Sequence, residues 1–259
     1  MSKLFASFSG GKDSTATICL AHEMEMQGMD THIDEIVFCE VMYDLKREIS
    51  AENPAHIRFI KEVAIPKFAE WGYPTRILRA DKDFLTLFHT PQLHPTKHPE
   101  HKGMLRGFPH GKNGWCYLKR DCKVRVIEKF YKELDPDAVT LVGICADEPG
   151  RLRSLYGDPH RRSLLAEQGI TQSISRRICE EYGLLSPIYE LPGQNRSGCW
   201  LCPFAKPYEQ AQVPEEIWNE FVSLEKLPNV ASPRWQFFRN GETLAERSIL
   251  VEQLRRQNT

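Results

Sequence analysis

Apolar residues at the start of the chain run together in Leu4, Phe5, Ala6 and Phe8, and then recur at helical spacing in Ala16, Leu20 and Met24. This pattern predicts a strand, a tight turn and a helix that stops at Gly28. Ile33 to Cys39 reads as a second, mostly apolar strand. Ser50-Ala51-Glu52-Asn53-Pro54 opens a helix carrying Ile57, Ile60 and Ala64, which Pro66 should kink or break. Thr75 to Leu78 is a short third strand. Val124, Ile127, Phe130, Tyr131 and Leu134 mark one helix face, stopped by Asp135-Pro136. Val139 to Cys145 is a continuous apolar run of the kind buried on both faces of a parallel sheet. Strands alternating with crossover helices predict an α/β fold, a doubly wound and mostly parallel sheet with ligands at the carboxyl ends of its strands.

The periodicity vanishes between Phe88 and Trp115, where Pro91, Pro95, Pro99 and Pro109 are interspersed with His89, His94, His98, His101 and His110. A long irregular segment inside a compact domain reads as a substrate loop or lid. The spacing of the histidines places no pair on one helical face, which argues against a histidine metal site. Beyond Gly150 the chain becomes rich in arginine and helical, with Ile174 to Tyr182, Pro214 to Leu224 and Glu242 to Arg256 as helices. The expected organisation is an α/β nucleotide domain over 1–150, with the irregular loop 88–115, and a mainly helical region over 151–259.

Composition narrows the class. The 259 residues are 41% hydrophobic and 27% charged, with a net charge of −1, and no apolar stretch is long enough to span a bilayer. No secretory leader is recognisable, so a cytoplasmic location without membrane association is expected. Eight cysteines in such a chain point to thiols or metal ligands rather than a disulfide framework. From Lys97 to Lys129 nine lysines or arginines face three acidic residues, an excess suited to an anionic substrate or a nucleic acid.

The first strand leads into Ser9-Gly10-Gly11-Lys12-Asp13-Ser14. Two glycines let the backbone turn sharply and present its N–H groups, and the following helix aims its positive end at the same point. An anion is expected there. The motif is not a Walker A loop, because Lys12 is followed by Asp13. Lys12 would act as a point charge on phosphate oxygens and the Ser9 and Ser14 hydroxyls as donors. Asp13 would hold Mg²⁺ or interact with the N-terminal turn.

The hexapeptide resembles the PP-loop of the ATP pyrophosphatase, or adenine nucleotide alpha-hydrolase, superfamily. The resemblance implies a Rossmann-like, HUP-type fold and ATP cleaved between its α- and β-phosphates, with pyrophosphate held on the loop and Lys12 and Asp13 catalytic. Within the superfamily, Gly143-Ile144-Cys145-Ala146-Asp147-Glu148-Pro149-Gly150-Arg151 is similar to a segment of the phosphoadenosine phosphosulfate (PAPS) reductase family that lies beside the nucleotide. It implies roles for Gly143, Glu148 and either Arg151 or Arg153. Glu40 stands where the family often has an Asp, which would approach the ribose or the metal. Arg161 and Arg162 add cations suited to phosphate or sulfate.

Cys199-Trp200-Leu201-Cys202 places two thiols on one turn, and Cys116 and Cys122 form a second pair beside Lys119, Arg120 and Lys123. One metal centre built from all four is the economical expectation, with the cations lowering the thiol pKa values. Iron–sulfur and zinc both accept four cysteines. The cluster-bearing reductases, and DNA phosphorothioation and tRNA thiolation enzymes, resemble this chain in pairing an upstream cysteine pair with a downstream C-x-x-C, which implies a [4Fe–4S] cluster. Cys19, Cys39, Cys145 and Cys179 read as buried small hydrophobes.

Three functions follow as expectations. The first is an ATP-consuming sulfurtransferase that adenylates a substrate, releases pyrophosphate and transfers sulfur. The second is a PAPS reductase-like oxidoreductase, although no cysteine follows Cys202 to serve as the tail nucleophile that the resemblance requires. The third is a nucleotide- and cluster-binding accessory protein without turnover, using Trp115 and Tyr117 to stack on bases. The expected partners are an adenine nucleotide, a tRNA, DNA or small-molecule sulfur acceptor, a sulfur or electron donor protein, and a second copy in a homodimer.

Overall fold

The computed structural model describes residues 3–109, 116–133, 136–194, 196–235 and 241–257. His110, Trp115, Leu134 and Asp135, on which expectations above rest, lie outside the described residues. Five parallel strands form the central sheet: β1 (Leu4–Phe8), β2 (Glu35–Cys39), β3 (Thr75–Leu78), β4 (Val139–Leu141) and β5 (Arg161–Arg162). Their spatial order is β3-β2-β1-β4-β5, so the winding reverses between β1 and β4. The fold is the doubly wound α/β architecture that the alternating pattern predicts, and its switch point lies outside the carboxyl ends of β1 and β4.

The two faces of the sheet follow the pleat. Ala6 and Phe8 of β1 and Ile36 and Phe38 of β2 bury into one apolar core. That core also takes Ile18, Cys19 and Ala21 of α1 (Lys12–Met26) and Phe59, Ile60, Ala64 and Phe68 of α2 (54–70). Phe5 and Val37 point the other way, toward Phe130 and Tyr131 of α3 (117–132). A fourth helix, α4 (Gln172–Glu181), packs on α1.

Pro66 does not end α2. A π-helical turn over Ile60–Ala64 widens the helix just before Pro66 and carries the axis through to Glu70. A proline removes one donor from the ladder, and a widened turn is one way to absorb it. The apolar run Val139 to Cys145 is a strand only to Leu141. Beyond it the N–H of Ile144 donates to the carbonyl of Val142 at 3.0 Å, a tight turn centred on Gly143.

The chain after residue 150 is not a separate layer. Arg161 and Arg162 pair in parallel with Thr140 and Leu141, extending the sheet. A second aromatic core joins Tyr43, Phe84, Phe88, Phe108, Tyr117 and Leu118 to Trp200, Trp218, Phe221 and Trp235. Burying rings of this size contributes roughly 2–3 kcal/mol each. The 84–122 region and the C-terminal region therefore share one apolar interior. Among the described residues no helix is long and apolar enough to cross a membrane.

Candidate functional site

The loop Ser9–Ser14 connects β1 to α1 at the switch point. Gly10 has φ +70°, and a Cβ there would lie 2.5 Å from Ile60 and 2.6 Å from His56, so only glycine both adopts the turn and fits beneath α2. The Ser9 and Ser14 hydroxyls lie 3.1 Å apart, and the Ser9 N–H donates to Ser14 Oγ at 3.1 Å. The loop is therefore tied across its own mouth.

His56 braces it from below. Its Nε2 lies 3.0 Å from the Ser9 carbonyl and its Nδ1 2.7 Å from Ser186 Oγ. A carbonyl only accepts, so Nε2 carries the proton and the Ser186 hydroxyl donates to Nδ1. Burial pulls the His56 pKa down to about 4. The residue is a neutral strut.

Asp13 is the electrostatic centre. Lys12 Nζ lies 2.5 Å from its Oδ1, and Ser175 Oγ and Cys145 Sγ donate to the same atom at 2.9 and 3.2 Å. Burial, then the hydrogen bond to Asp13, pushes the Cys145 thiol up to about 12, so it remains a neutral donor. Cys179 Sγ likewise donates to the Lys12 carbonyl at 3.1 Å. These two cysteines are more than core filler: they support the loop.

Gly143 brings the turn after β4 against the start of α1. A Cβ there would fall 2.5 Å from the Ser14 backbone nitrogen. Glu148 Oε2 accepts the Cys145 N–H at 3.0 Å, and Arg151 Nη1 reaches Glu148 Oε1 at 2.8 Å. The ligand atoms of Asp13, Cys145 and Glu148 all lie within 4.8 Å of one another. Two carboxylates this close together fit a hard cation such as Mg²⁺, whereas a protonated thiol is a poor ligand for it.

Around this centre opens a cavity of about 760 Å³ lined by Ser9, Gly11, Asp13, Gly143, Glu148 and Arg151, and further by Arg161, Tyr189, Arg196 and Ser197. Its size suits a nucleotide. Tyr189 and Arg196 are contributions that local sequence patterns do not reveal. The Tyr189 hydroxyl accepts the Lys12 N–H at 3.0 Å, and burial raises its pKa, keeping it protonated.

Some expected residues lie elsewhere. Arg153 is exposed and does not line the cavity, and Arg162 is held by Glu167 at 2.6 Å. Glu40 is 0% exposed and also outside the lining. Burial alone would raise its pKa, but hydrogen bonds from Lys61 at 2.9 Å and Arg79 at 2.8 Å outweigh this and hold it below the ordinary value. Its oxygens are committed to those cations.

A second cavity of about 350 Å³ is lined by Cys116, Cys199 and Cys202, together with Lys119 and Lys123. The C-x-x-C turn is fixed by the Cys202 N–H on the Cys199 carbonyl at 3.1 Å and by Trp235 Nε1 on the Leu201 carbonyl at 2.7 Å. Three thiols and two cations around a mostly apolar space fit one side of an iron–sulfur cluster. Thiolates on a single zinc ion would lie about 3.8 Å apart. Among the described residues no three of these sulfurs come within 4.8 Å of one another.

Cys122 is not part of this group. Six residues after Cys116, it follows about one and a half helical turns, through a π-helical segment over Arg120–Val124, and so faces the opposite side. Its Sγ donates to the Lys82 carbonyl at 3.3 Å. The expected quartet is thus a trio plus one separate cysteine. The nearby cations do not dominate either, because burial pushes the Cys116 and Cys199 thiols up.

The histidine segment holds one surprise. A short 3₁₀ turn over Pro99–His101 stacks the rings of His98 and His101 at 4.9 Å, with Glu100 alongside, although no helical face was expected to join them.

Fold and site together define a doubly wound α/β protein whose Ser9–Ser14 loop shares a wall with a three-cysteine cavity. No family model matches the sequence, and no curated protein matches it. Among solved structures the chain is similar to the phosphoadenylyl-sulfate (PAPS) reductase from Candida auris in its phosphate complex. That likeness has 12% identity and a TM-score of 0.49, over 77% of this chain and 82% of the other.

Proposed function

We propose that the chain binds ATP at the Ser9–Ser14 loop, adenylates an acceptor with release of pyrophosphate, and directs sulfur to the activated position. The observation that carries this reading is the wall common to the two cavities: Ser9, Arg196 and Ser197 line both. A nucleotide in the larger space and a sulfur source in the smaller one would be neighbours.

In the first step an acceptor oxygen forms a bond to the α-phosphorus, and the bond to the bridging oxygen breaks, so pyrophosphate departs with its electron pair. Lys12, Arg151 and the N-terminal end of α1 lower the cost of the charge that develops. Asp13 and Glu148 would hold Mg²⁺ against the phosphates. Tyr189, still protonated, has its own hydrogen to donate to a phosphate oxygen. Cys116, Cys199 and Cys202 would hold a [4Fe–4S] centre, which when bound supplies the sulfur nucleophile that displaces AMP. Lys119 and Lys123 offset its negative charge and suit an anionic acceptor, tRNA or DNA.

Pyrophosphate release from ATP, measured with tRNA, DNA and small-molecule acceptors, tests the reading. Release that depends on one acceptor class, and sulfur recovered in that acceptor, supports it. Salt-sensitive nucleic-acid binding with no ATP cleavage would instead favour an accessory protein without turnover. A reductase-like oxidoreductase would need a thiolate beside the nucleotide, and sulfite formed from an adenylylsulfate with no pyrophosphate released from ATP would favour that reading.

A further inference from the structure

The three-cysteine cavity contains a fourth side chain with metal-binding chemistry. Glu52 is 5% exposed and lines the same space as Cys116, Cys199 and Cys202. It forms an antiparallel bridge with Cys199. Residues directly opposite in such a pair carry their side chains on one face, with Cβ atoms about 4.5–5.5 Å apart. The bridge is pinned: the Trp200 N–H donates to the Ala51 carbonyl at 2.9 Å and Trp200 Nε1 to the Ser50 carbonyl at 3.1 Å. One set of backbone bonds therefore positions both the thiol and the carboxylate.

The Glu52 carboxylate takes no hydrogen bond from any described residue; only its backbone N–H is engaged, by Ser50 Oγ at 3.2 Å. Lys123 lines the same cavity, and its charge acts on Glu52 without a hydrogen bond between them among the described residues. The Glu52 carboxyl lines the space between the thiols with acceptor capacity that no described side chain uses, so it is free to take a ligand there. Cys122, meanwhile, is 1% exposed, turned away and committed to the Lys82 carbonyl.

We propose that Glu52 is the fourth protein ligand of the metal centre held by Cys116, Cys199 and Cys202, in the place that spacing assigned to Cys122. The inference rests on reading that cavity as an iron–sulfur site. A carboxylate is a harder donor than a thiolate, so the three cysteines anchor the centre and the Glu52 corner is its exchangeable position.

The test is iron and acid-labile sulfide content, with electron paramagnetic resonance, on anaerobically purified protein and its Cys122→Ser, Cys199→Ser and Glu52→Gln variants. Cys122→Ser should keep about four iron and four sulfide per chain, while Glu52→Gln falls to about three iron with an altered spectrum. Cys199→Ser should lose most of both. If Cys122→Ser loses iron as Cys199→Ser does, and Glu52→Gln keeps the wild-type content and spectrum, the proposal is overturned. Should Glu52→Gln fail to fold, the double variant Glu52→Cys with Cys122→Ser decides: retained iron supports the ligand position and lost iron rejects it. Wild-type protein without iron or sulfide overturns the cluster reading itself, a result distinct from any difference between variants.

Discussion

The Tyr189 hydroxyl accepts the backbone N–H of Lys12 at 3.0 Å, joining residues 177 positions apart at the first turn of α1. The first N–H groups of a helix have no partner within it, so this bond closes one of the orphan donors while leaving the tyrosine proton available. The C-terminal region is thereby fastened onto the loop.

Removing that hydroxyl should be felt in stability. Tyr189→Phe leaves the Lys12 N–H without its acceptor, which costs about 1–2 kcal/mol. The denaturant midpoint should fall with an unchanged slope, and ATP should restore part of the loss if a phosphate oxygen takes the vacated N–H. An unchanged midpoint would mean that the contact carries no energy.

Gly143→Ala should disrupt the loop severely. The added Cβ meets backbone of Ser14 and Asp13 at 2.5 to 2.8 Å, and backbone cannot swing aside as a flexible side chain can. We expect a loss of about 1–3 kcal/mol and at least tenfold weaker nucleotide binding by calorimetry. Gly150→Ala, where a Cβ meets nothing within 4 Å, is the control and should bind normally.

Ser9 to Ser14 was legible because the strand, the glycines and the helix start are adjacent in sequence and each has a local signature. Tyr189, Arg196 and His56 were not, since their contribution exists only after distant elements pack. The cysteines show a subtler limit. Spacing placed Cys122 beside Cys116, but a widened helical turn sets the phase, and hydrophobicity carries no record of it. The same blindness ended β4 too late: Val142 to Cys145 are apolar enough for a strand, yet Gly143 turns there because α1 leaves no room. Glu52 was visible as part of a helix-opening motif, and its place opposite Cys199 required the fold.

Acid should destabilise the protein through His56. Its pKa is about 4 in the fold against 6.5 for the free side chain, so the unfolded chain binds the proton first. The stabilisation is whole above about pH 6.5 and is lost as pH falls toward 4, amounting to about 3 kcal/mol for this fully buried ring. A His56→Gln variant, whose amide still reaches toward the Ser9 carbonyl, lacks that titration. Denaturation midpoints at pH 7 and pH 4.5 should therefore differ more for the wild type than for the variant; parallel losses would assign the acid sensitivity to other groups.

Arg196 offers the sharpest check on where a nucleotide lies. Its guanidinium is exposed, lines both cavities and sits 4.0 Å from Cys202 Sγ. If phosphates occupied only the loop, Arg196→Ala would leave ATP affinity unchanged. If the α-phosphate lies toward the shared wall, as sulfur transfer from the cysteine cavity requires, the variant removes a charge-assisted hydrogen bond of about 1.5–3 kcal/mol. ATP should then bind about 10- to 100-fold more weakly, with a smaller effect on free pyrophosphate, which lacks the α-phosphate. Equal weakening of both ligands would instead place Arg196 on the leaving group and move the reacting phosphorus away from the thiols.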